Sequence, residues 1–294
     1  MPEGHSIHRL ARQFQDVFVG APVRASSPQG RFADGAALLD GHMPTRAWAH
    51  GKHFFLDFDH GLTLNVHLGM YGAWTFGGDE TFSAASSIGA PRRIGETEDH
   101  TGPASPEAPA PRPTVRLRLE AEHGWADLIG ATTCRVLTPD EVGQVTAKLG
   151  PDPLNDDDPA PFLARAVRTR RPIGVVLMDQ SMVGGIGNIY RAEALFRAGL
   201  DPWAPANSVP QDRLQQLWED NAALMREGVR LGRIVTTEPR HRVGVAAEDA
   251  WPEHANYVYQ RQGRTCLVCG QEAIVMEEMA ARKLYRCTGC QTMP

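Results

Sequence analysis

Cys266-Leu267-Val268-Cys269, followed after seventeen residues by Cys287-Thr288-Gly289-Cys290, carries four thiols in the paired spacing of a tetrahedral tetrathiolate metal site. Gly270 and Gly289 let each pair turn, and Ile274-Val275-Met276 with Arg282-Lys283-Leu284-Tyr285 supply two short strands between the pairs. The reading is a zinc ribbon over residues 256–294. Four cysteine ligands close the coordination sphere, so its one zinc is structural and no position is left for a catalytic water. The metal's binding energy, on the order of 10 kcal/mol, would hold this small module together. The competing reading is two disulfides. Against it stand a fifth, unpaired cysteine, Cys134, read as an inert thiol, and the lack of a secretory signal ahead of the motif.

Upstream of the ribbon the pattern is helical. Residues 140–149, 160–168, 173–180, 188–198 and 211–231 have helical spacing, with Gly199 and Pro202 as stops, and predict an all-helical domain over 135–240. A less regular segment, 236–255, joins it to the ribbon. Within the helical domain, Ser181-Met182-Val183-Gly184-Gly185-Ile186-Gly187-Asn188-Ile189-Tyr190 places three glycines directly before a helix, where backbone amides can converge on a phosphate. Asn188 can add a side-chain donor, and basic Arg191 follows. Glycine runs of this kind also occur in ordinary helix packing. Six arginines between Arg165 and Arg197, against Asp179 and Glu193, fit a solvated helical face as well as a DNA-backbone clamp.

The first half of the chain changes period. After a helix over 6–18, stopped by Gly20, the residues alternate: Phe54, Leu56 and Phe58; Leu62, Leu64, Val66 and Leu68; Val115, Leu117 and Leu119. These are half-buried antiparallel strands. With Trp48, Trp74 and Trp125 nearby they predict a two-layered β-sandwich over 1–134, carrying the first helix. Residues 77–113, rich in Pro, Gly, Ser and Ala, are expected to be a mobile surface insertion. His42, His50, His53, His60 and His67 show no convincing ligand spacing with a carboxylate and are read as surface or core-edge residues.

With 294 residues, 42% hydrophobic, and no apolar run near eighteen, the chain reads as a soluble α+β multidomain protein. Nothing targets it outward or to a membrane, so a cytoplasmic monomer is expected. A net charge of -5 excludes a generally polycationic binder and leaves local clusters to hold any nucleic acid. Lys52, Lys148 and Lys283 are the only lysines among thirty basic residues, which singles out each of them.

The start, Met1-Pro2-Glu3-Gly4, is the remaining chemical candidate. Removal of Met1 would leave a proline secondary amine beside a carboxylate, and such an amine can attack an electrophilic sugar carbon while the carboxylate moves protons. The positive end of the following helix disfavours a protonated amine there and keeps it nucleophilic. Many chains begin Met-Pro with no such role.

Taken in order, these residues resemble the formamidopyrimidine-DNA glycosylase and endonuclease VIII family of base-excision repair enzymes. The resemblance rests on Met1-Pro2-Glu3-Gly4, Gly51-Lys52, His67-Leu68-Gly69-Met70, Asp179-Gln180 through Gly187-Asn188-Ile189-Tyr190, Glu193-Ala194-Leu195-Phe196 and the terminal ribbon, and it spans nearly the whole chain. It implies a β-sandwich, a helix-two-turn-helix domain and a zinc finger, with damaged DNA held in the cleft between the first two. It also implies that Pro2 attacks the anomeric carbon, Glu3 shuttles protons and Lys52 contacts phosphate. Asn188 and Arg282 would grip the backbone, with Arg191 as a further contact, and Met70 would fill the gap left by a flipped base. Gly4-His5-Ser6 is closer to the endonuclease VIII pattern. Asp127-Leu128-Ile129-Gly130-Ala131-Thr132 lacks the gap-filling Arg and Phe of the other branch, and Gly174 stands where that branch often has lysine. Oxidised pyrimidines, in duplex as well as single-stranded or bubble DNA, are therefore the expected substrates. Two other classes stay open from the residues alone: a non-catalytic zinc-ribbon reader of damaged DNA, and a zinc-ribbon scaffold for protein partners.

Overall fold

The computed structural model describes residues 2–82, 84–89, 108–271 and 273–293. They divide into two units, Met1–Ala147 and Lys148–Pro294. The first unit runs α1 (Gly4–Val17), β1 (Arg24–Ser26), α2 (Ala33–Leu39), β2 (Pro44–His50), β3 (His53–Phe58), β4 (Thr63–His67), β5 (Ala73–Gly78), β6 (Ser87–Gly89), β7 (Leu117–Glu120), β8 (Gly124–Ile129), β9 (Thr133–Leu137) and α3 (Pro139–Thr146). Its strands form two antiparallel sheets, β2-β3-β4-β9 and β1-β7-β8-β5-β6. The register sets Phe54 opposite Val66 and Leu56 opposite Leu64, so the alternation noted in the sequence aims one apolar row into the space between the sheets.

Phe14 shows why α1 belongs to this core. Its ring lies 4.8 Å from that of Phe54 in one sheet and 4.9 and 5.6 Å from those of Trp74 and Phe76 in the other. Such edge and tilted pairs add to the area they bury. The strands β3 and β4 are covered more fully than alternation implied. Phe55, on the outer face, is stacked under Trp48 with centroids 4.0 Å apart, and Asn65 is buried with its amide donating to the Phe54 carbonyl.

Two boundaries differ from the sequence reading. The first unit extends to Ala147, because α3 packs on β9 and stays with the sandwich. Of the expected insertion at 77–113, residues 90–107 lie outside the described residues, but its beginning is built into the sheet: β6 pairs with β5, and Ala85 exchanges backbone bonds with the buried Gln13 side chain.

The second unit contains α4 (Ala160–Ala166), α5 (Ile173–Val176), α6 (Asn188–Arg197), α7 (Gln211–Leu231), α8 (Pro252–Ala255) and the hairpin β10 (Val275–Met279) with β11 (Arg282–Arg286). Helix α7 buries Leu214, Leu217, Trp218 and Met225 at helical spacing and stops at Gly232 in the left-handed conformation. Helix α5 is shorter than its pattern, since Asp179 accepts from Ser181 and from Arg171 and turns the chain toward the glycine run. The ribbon shares a core with α6, in which Ala192 and Phe196 pack with Tyr257, Val258, Ile274 and Tyr285.

Candidate functional site

In the first unit the N-terminal residues are buried, with Glu3 wholly so at the N-cap position of α1, where the helix dipole favours a negative charge. His5, the second residue of that helix, is driven down to about 3 by burial, reinforced by the chain's N-terminal charge and by Arg9 and His8. It is thus a neutral imidazole near neutral pH, its Nε2 3.2 Å from Ser6 Oγ.

Lys52 sits with Gly51 at the tip of the hairpin joining β2 and β3, between the paired His50 and His53. Its charge acts on His67, whose pKa is lowered by burial first and by Lys52 second. His67 in turn shapes the next turn: its Nδ1 accepts from the Gly69 amide at 3.1 Å, and its carbonyl accepts from Thr132. Gly69 has φ +68, and a Cβ there would stand 1.9 Å from Thr132 Oγ1, so the close approach requires glycine. The result is a turn that projects Met70, 39% exposed, and Tyr71, 73% exposed. Tyr71 was not singled out from the sequence. Its signal was an aromatic residue at a glycine-bounded turn tip.

In the second unit Gln180 clamps the glycine run, accepting from the Gly185 amide and donating to the carbonyls of Ile186 and Met178. This delivers Asn188 to the first turn of α6. Its side-chain amide donates to the Lys283 carbonyl at 2.9 Å, and its Oδ1 accepts from Arg191. Arg191 is therefore a correction to the sequence reading. It is 1% exposed and its guanidinium also donates to the Lys283 carbonyl at 3.0 Å, so it fastens the ribbon to α6 and does not offer a cation to phosphate. Arg282, the residue before Lys283, is exposed, as is Lys283 itself. The structure thus places Asn188 next to the cationic end of β11.

Glu193 completes this joint. Fully buried, its carboxylate accepts from the amides of Tyr257, Val258 and Tyr259 at 2.7–2.8 Å and from the Thr236 hydroxyl. Burial raises its affinity for a proton, and the four donors offset part of that rise.

Cys266, Cys269, Cys287 and Cys290 converge with their sulfurs within 4.8 Å of one another. The Cys266–Cys290 and Cys269–Cys287 separations are both 3.8 Å, which is the edge of a tetrahedron with metal–sulfur bonds of about 2.3 Å. Disulfide sulfurs would be about 2.05 Å apart, so the alternative pairing is excluded. The cluster is fit for a structural metal. Cys134 is free, and burial pushes its thiol up to about 12, consistent with an unreactive role.

Residues 1–128 match the formamidopyrimidine-DNA glycosylase N-terminal domain and residues 149–239 the formamidopyrimidine-DNA glycosylase H2TH domain. The chain belongs to the formamidopyrimidine-DNA glycosylase and endonuclease VIII family. It is 39% identical to "Endonuclease 8 1" of Mycobacterium tuberculosis over 99% of this chain and 100% of that protein. It is 28% identical to the formamidopyrimidine-DNA glycosylase of Roseobacter denitrificans, over 99% of each. Among solved structures, the complex of wild-type Lactococcus lactis Fpg (MutM) with DNA containing an oxidised pyrimidine shares the fold, with TM-score 0.72 and 20% identity over 99% of this chain and 100% of that one.

Proposed function

We propose that this protein is a bifunctional DNA glycosylase and AP lyase of base-excision repair that prefers oxidised pyrimidines. In the proposed cycle the Pro2 amine, exposed once Met1 is removed, attacks C1′ of the damaged nucleoside. The C1′–N bond breaks and the base departs with a proton, which Glu3 supplies or relays. Opening of the sugar gives an iminium between Pro2 and C1′. Loss of a C2′ proton then expels the 3′ phosphate, and hydrolysis frees the amine. Lys52 neutralises a phosphate beside the reacting sugar, and Asn188 and Arg282 grip the backbone further along.

The observation that carries this reading is the buried Glu3 carboxylate directly following Pro2 at the positive end of α1, in a chain of this family. The neutral His5 beside it keeps one more positive charge away from the amine. The pyrimidine preference is supported by the gap-filling groups. Met70 and Tyr71 are exposed, whereas in the 127–132 segment Asp127 is buried in a bidentate pair with Arg118 and Leu128 and Ala131 are buried. With few side chains to replace lost stacking, lesions that already weaken the stack are favoured, which extends the range to single-stranded and bubble DNA. The ribbon metal is proposed to be zinc, which suits four thiolates.

Borohydride trapping on an oligonucleotide with an abasic site or thymine glycol tests the proposal, with Pro2→Gly and Glu3→Gln compared with the parent after verified removal of Met1. A Pro2-dependent crosslink is expected. DNA binding with no crosslink would point instead to a non-catalytic damage reader. Equal excision of duplex oxidised guanine opposite cytosine would remove the pyrimidine preference.

A further inference from the structure

Gln291 directly follows the last cysteine of the ribbon and is a neutral amide, yet it is 1% exposed and bonded to two separate parts of the second unit. Its backbone amide donates to the Cys287 carbonyl at 3.0 Å, and its Oε1 accepts from the Cys287 amide at 3.0 Å, so it closes the second cysteine turn. Its Nε2 donates to the Leu200 carbonyl at 3.1 Å. Leu200 lies just past α6 and is itself fastened to the helix end. Its amide donates back to the Leu195 carbonyl at 3.0 Å and that of Gly199 to the Phe196 carbonyl at 2.9 Å, with Gly199 in the left-handed conformation. One buried side chain therefore spans from a metal-ligating residue to the capped end of a helix.

The strand β11 is held at both ends by this arrangement. At its start the Lys283 carbonyl accepts from Asn188 at 2.9 Å and from Arg191 at 3.0 Å, in the first turn of α6. Beyond its end Cys287 reaches Leu200 through Gln291. The two ties are separated along the helix by about 15 Å, the length of ten residues at 1.5 Å each. A single tie is a pivot, whereas two so far apart also fix the direction of the strand. Met293 adds a backbone bridge to the same loop, its carbonyl accepting from Asp201 at 2.8 Å, but it holds the chain beyond Gln291, and the bond to the cysteine turn is that of Gln291.

We infer that Gln291 is a positioning residue for DNA binding: by tying the second cysteine turn to the end of α6 it sets where the exposed Arg282 and Lys283 stand relative to Asn188. The inference rests on the proposed reading in which Asn188 and Arg282 hold the DNA backbone. Gln291 and Glu193 act at different places. Glu193 grips the chain as it enters the ribbon, and Gln291 grips it after the last ligand, so without Gln291 the ribbon keeps its cysteines and its joint but swings about the Lys283 end.

The test uses the whole metal-loaded protein and a duplex with a non-cleavable abasic-site analogue, with affinity measured from about 50 to 200 mM salt; each phosphate held by a cation adds about 0.9 to the slope of log affinity against log salt. Gln291→Met has the same length and neither amide function. It is expected to keep one metal per chain, to bind about tenfold more weakly, and to lower the slope by about 0.9–1.8, the share of one or two phosphates. Gln291→Asn, too short to reach both partners, carries the same expectation and serves if the methionine variant loses metal. Arg282→Gln/Lys283→Gln sets the full loss from the ribbon tip. A parental slope in both Gln291 variants, with or without weaker binding, while the tip double variant loses slope, would overturn the inference and leave the functional reading intact. A parental slope in the tip double variant would remove the ribbon tip from the DNA contact, and the inference with it.

Discussion

Replacing Glu193 with glutamine should loosen the ribbon from α6 without emptying the helical core. Each carboxylate oxygen accepts two bonds, Oε1 from the Val258 and Tyr259 amides and Oε2 from the Tyr257 amide and Thr236. In glutamine one of those oxygens becomes an NH2 group facing two donors. At least two charge-assisted bonds are lost, each contributing about 1.5–3 kcal/mol, and the buried amides left behind cannot turn to water. Relaxation and the easier desolvation of a neutral amide return part of this, leaving a net cost of about 3 kcal/mol. Because the three amides belong to the strand of chain that enters the ribbon, the cost should appear as local opening. At 1.4 kcal/mol per tenfold, ribbon opening should rise about a hundredfold. The assay is extraction of the ribbon metal by a chelator, read as a rate, together with proteolysis around residues 256–264. Glu193→Gln releasing metal at the parent's rate, with unchanged proteolysis, would refute the assignment of Glu193 as the joint.

Three further outcomes are expected. Gly69→Ala should destabilise the first unit by about 2–4 kcal/mol in urea unfolding, from the left-handed backbone and the clash with Thr132 Oγ1, and should lower lesion excision by displacing Met70 and Tyr71; adding Thr132→Ala should restore part of both. The β10–β11 turn holds Ala280 and Ala281 at φ 51 and 57, a conformation costing alanine about 1–2 kcal/mol, so Ala281→Gly should raise stability by up to about 1 kcal/mol after glycine's own entropy is subtracted, visible as a higher midpoint of metal-loaded unfolding. His5 is lowered in the folded state to about 3, so below its unfolded value of 6.5 the unfolded chain binds the extra proton; its contribution is complete above pH 6.5 and declines by about 1.4 kcal/mol per unit as pH falls toward 3. Unfolding of the parent and His5→Asn between pH 7.5 and 4.5 should show a shallower slope for the variant.

What could be read from the residues and what could not divides along the range of the forces involved. The cysteine pairs, the alternation of Phe54, Leu56 and Phe58, and the first helix are local patterns whose spacing already encodes one face or one ligand set, and each appears where its spacing placed it. Arg191 was misread because its partner, Lys283, is 92 positions away. Locally it is a basic residue in the first turn of a helix after a glycine run, which is how a phosphate ligand also looks. Only the return of the ribbon hairpin onto α6 converts that cation from a surface group to a buried fastener. The same holds for β6, where Ser87–Gly89 is too short for alternation to register and is recruited as a strand by β5. His42 and His60 lie on either side of a hairpin whose register, not whose sequence, sets them against Asp59. The consequence for the binding surface is concrete. On the proposed reading, in which Asn188 and Arg282 hold the DNA backbone, the exposed cations near Asn188 are those of the ribbon tip, Arg282 and Lys283, so that grip would depend on the ribbon staying docked, and the Glu193 joint would support binding without touching the nucleic acid.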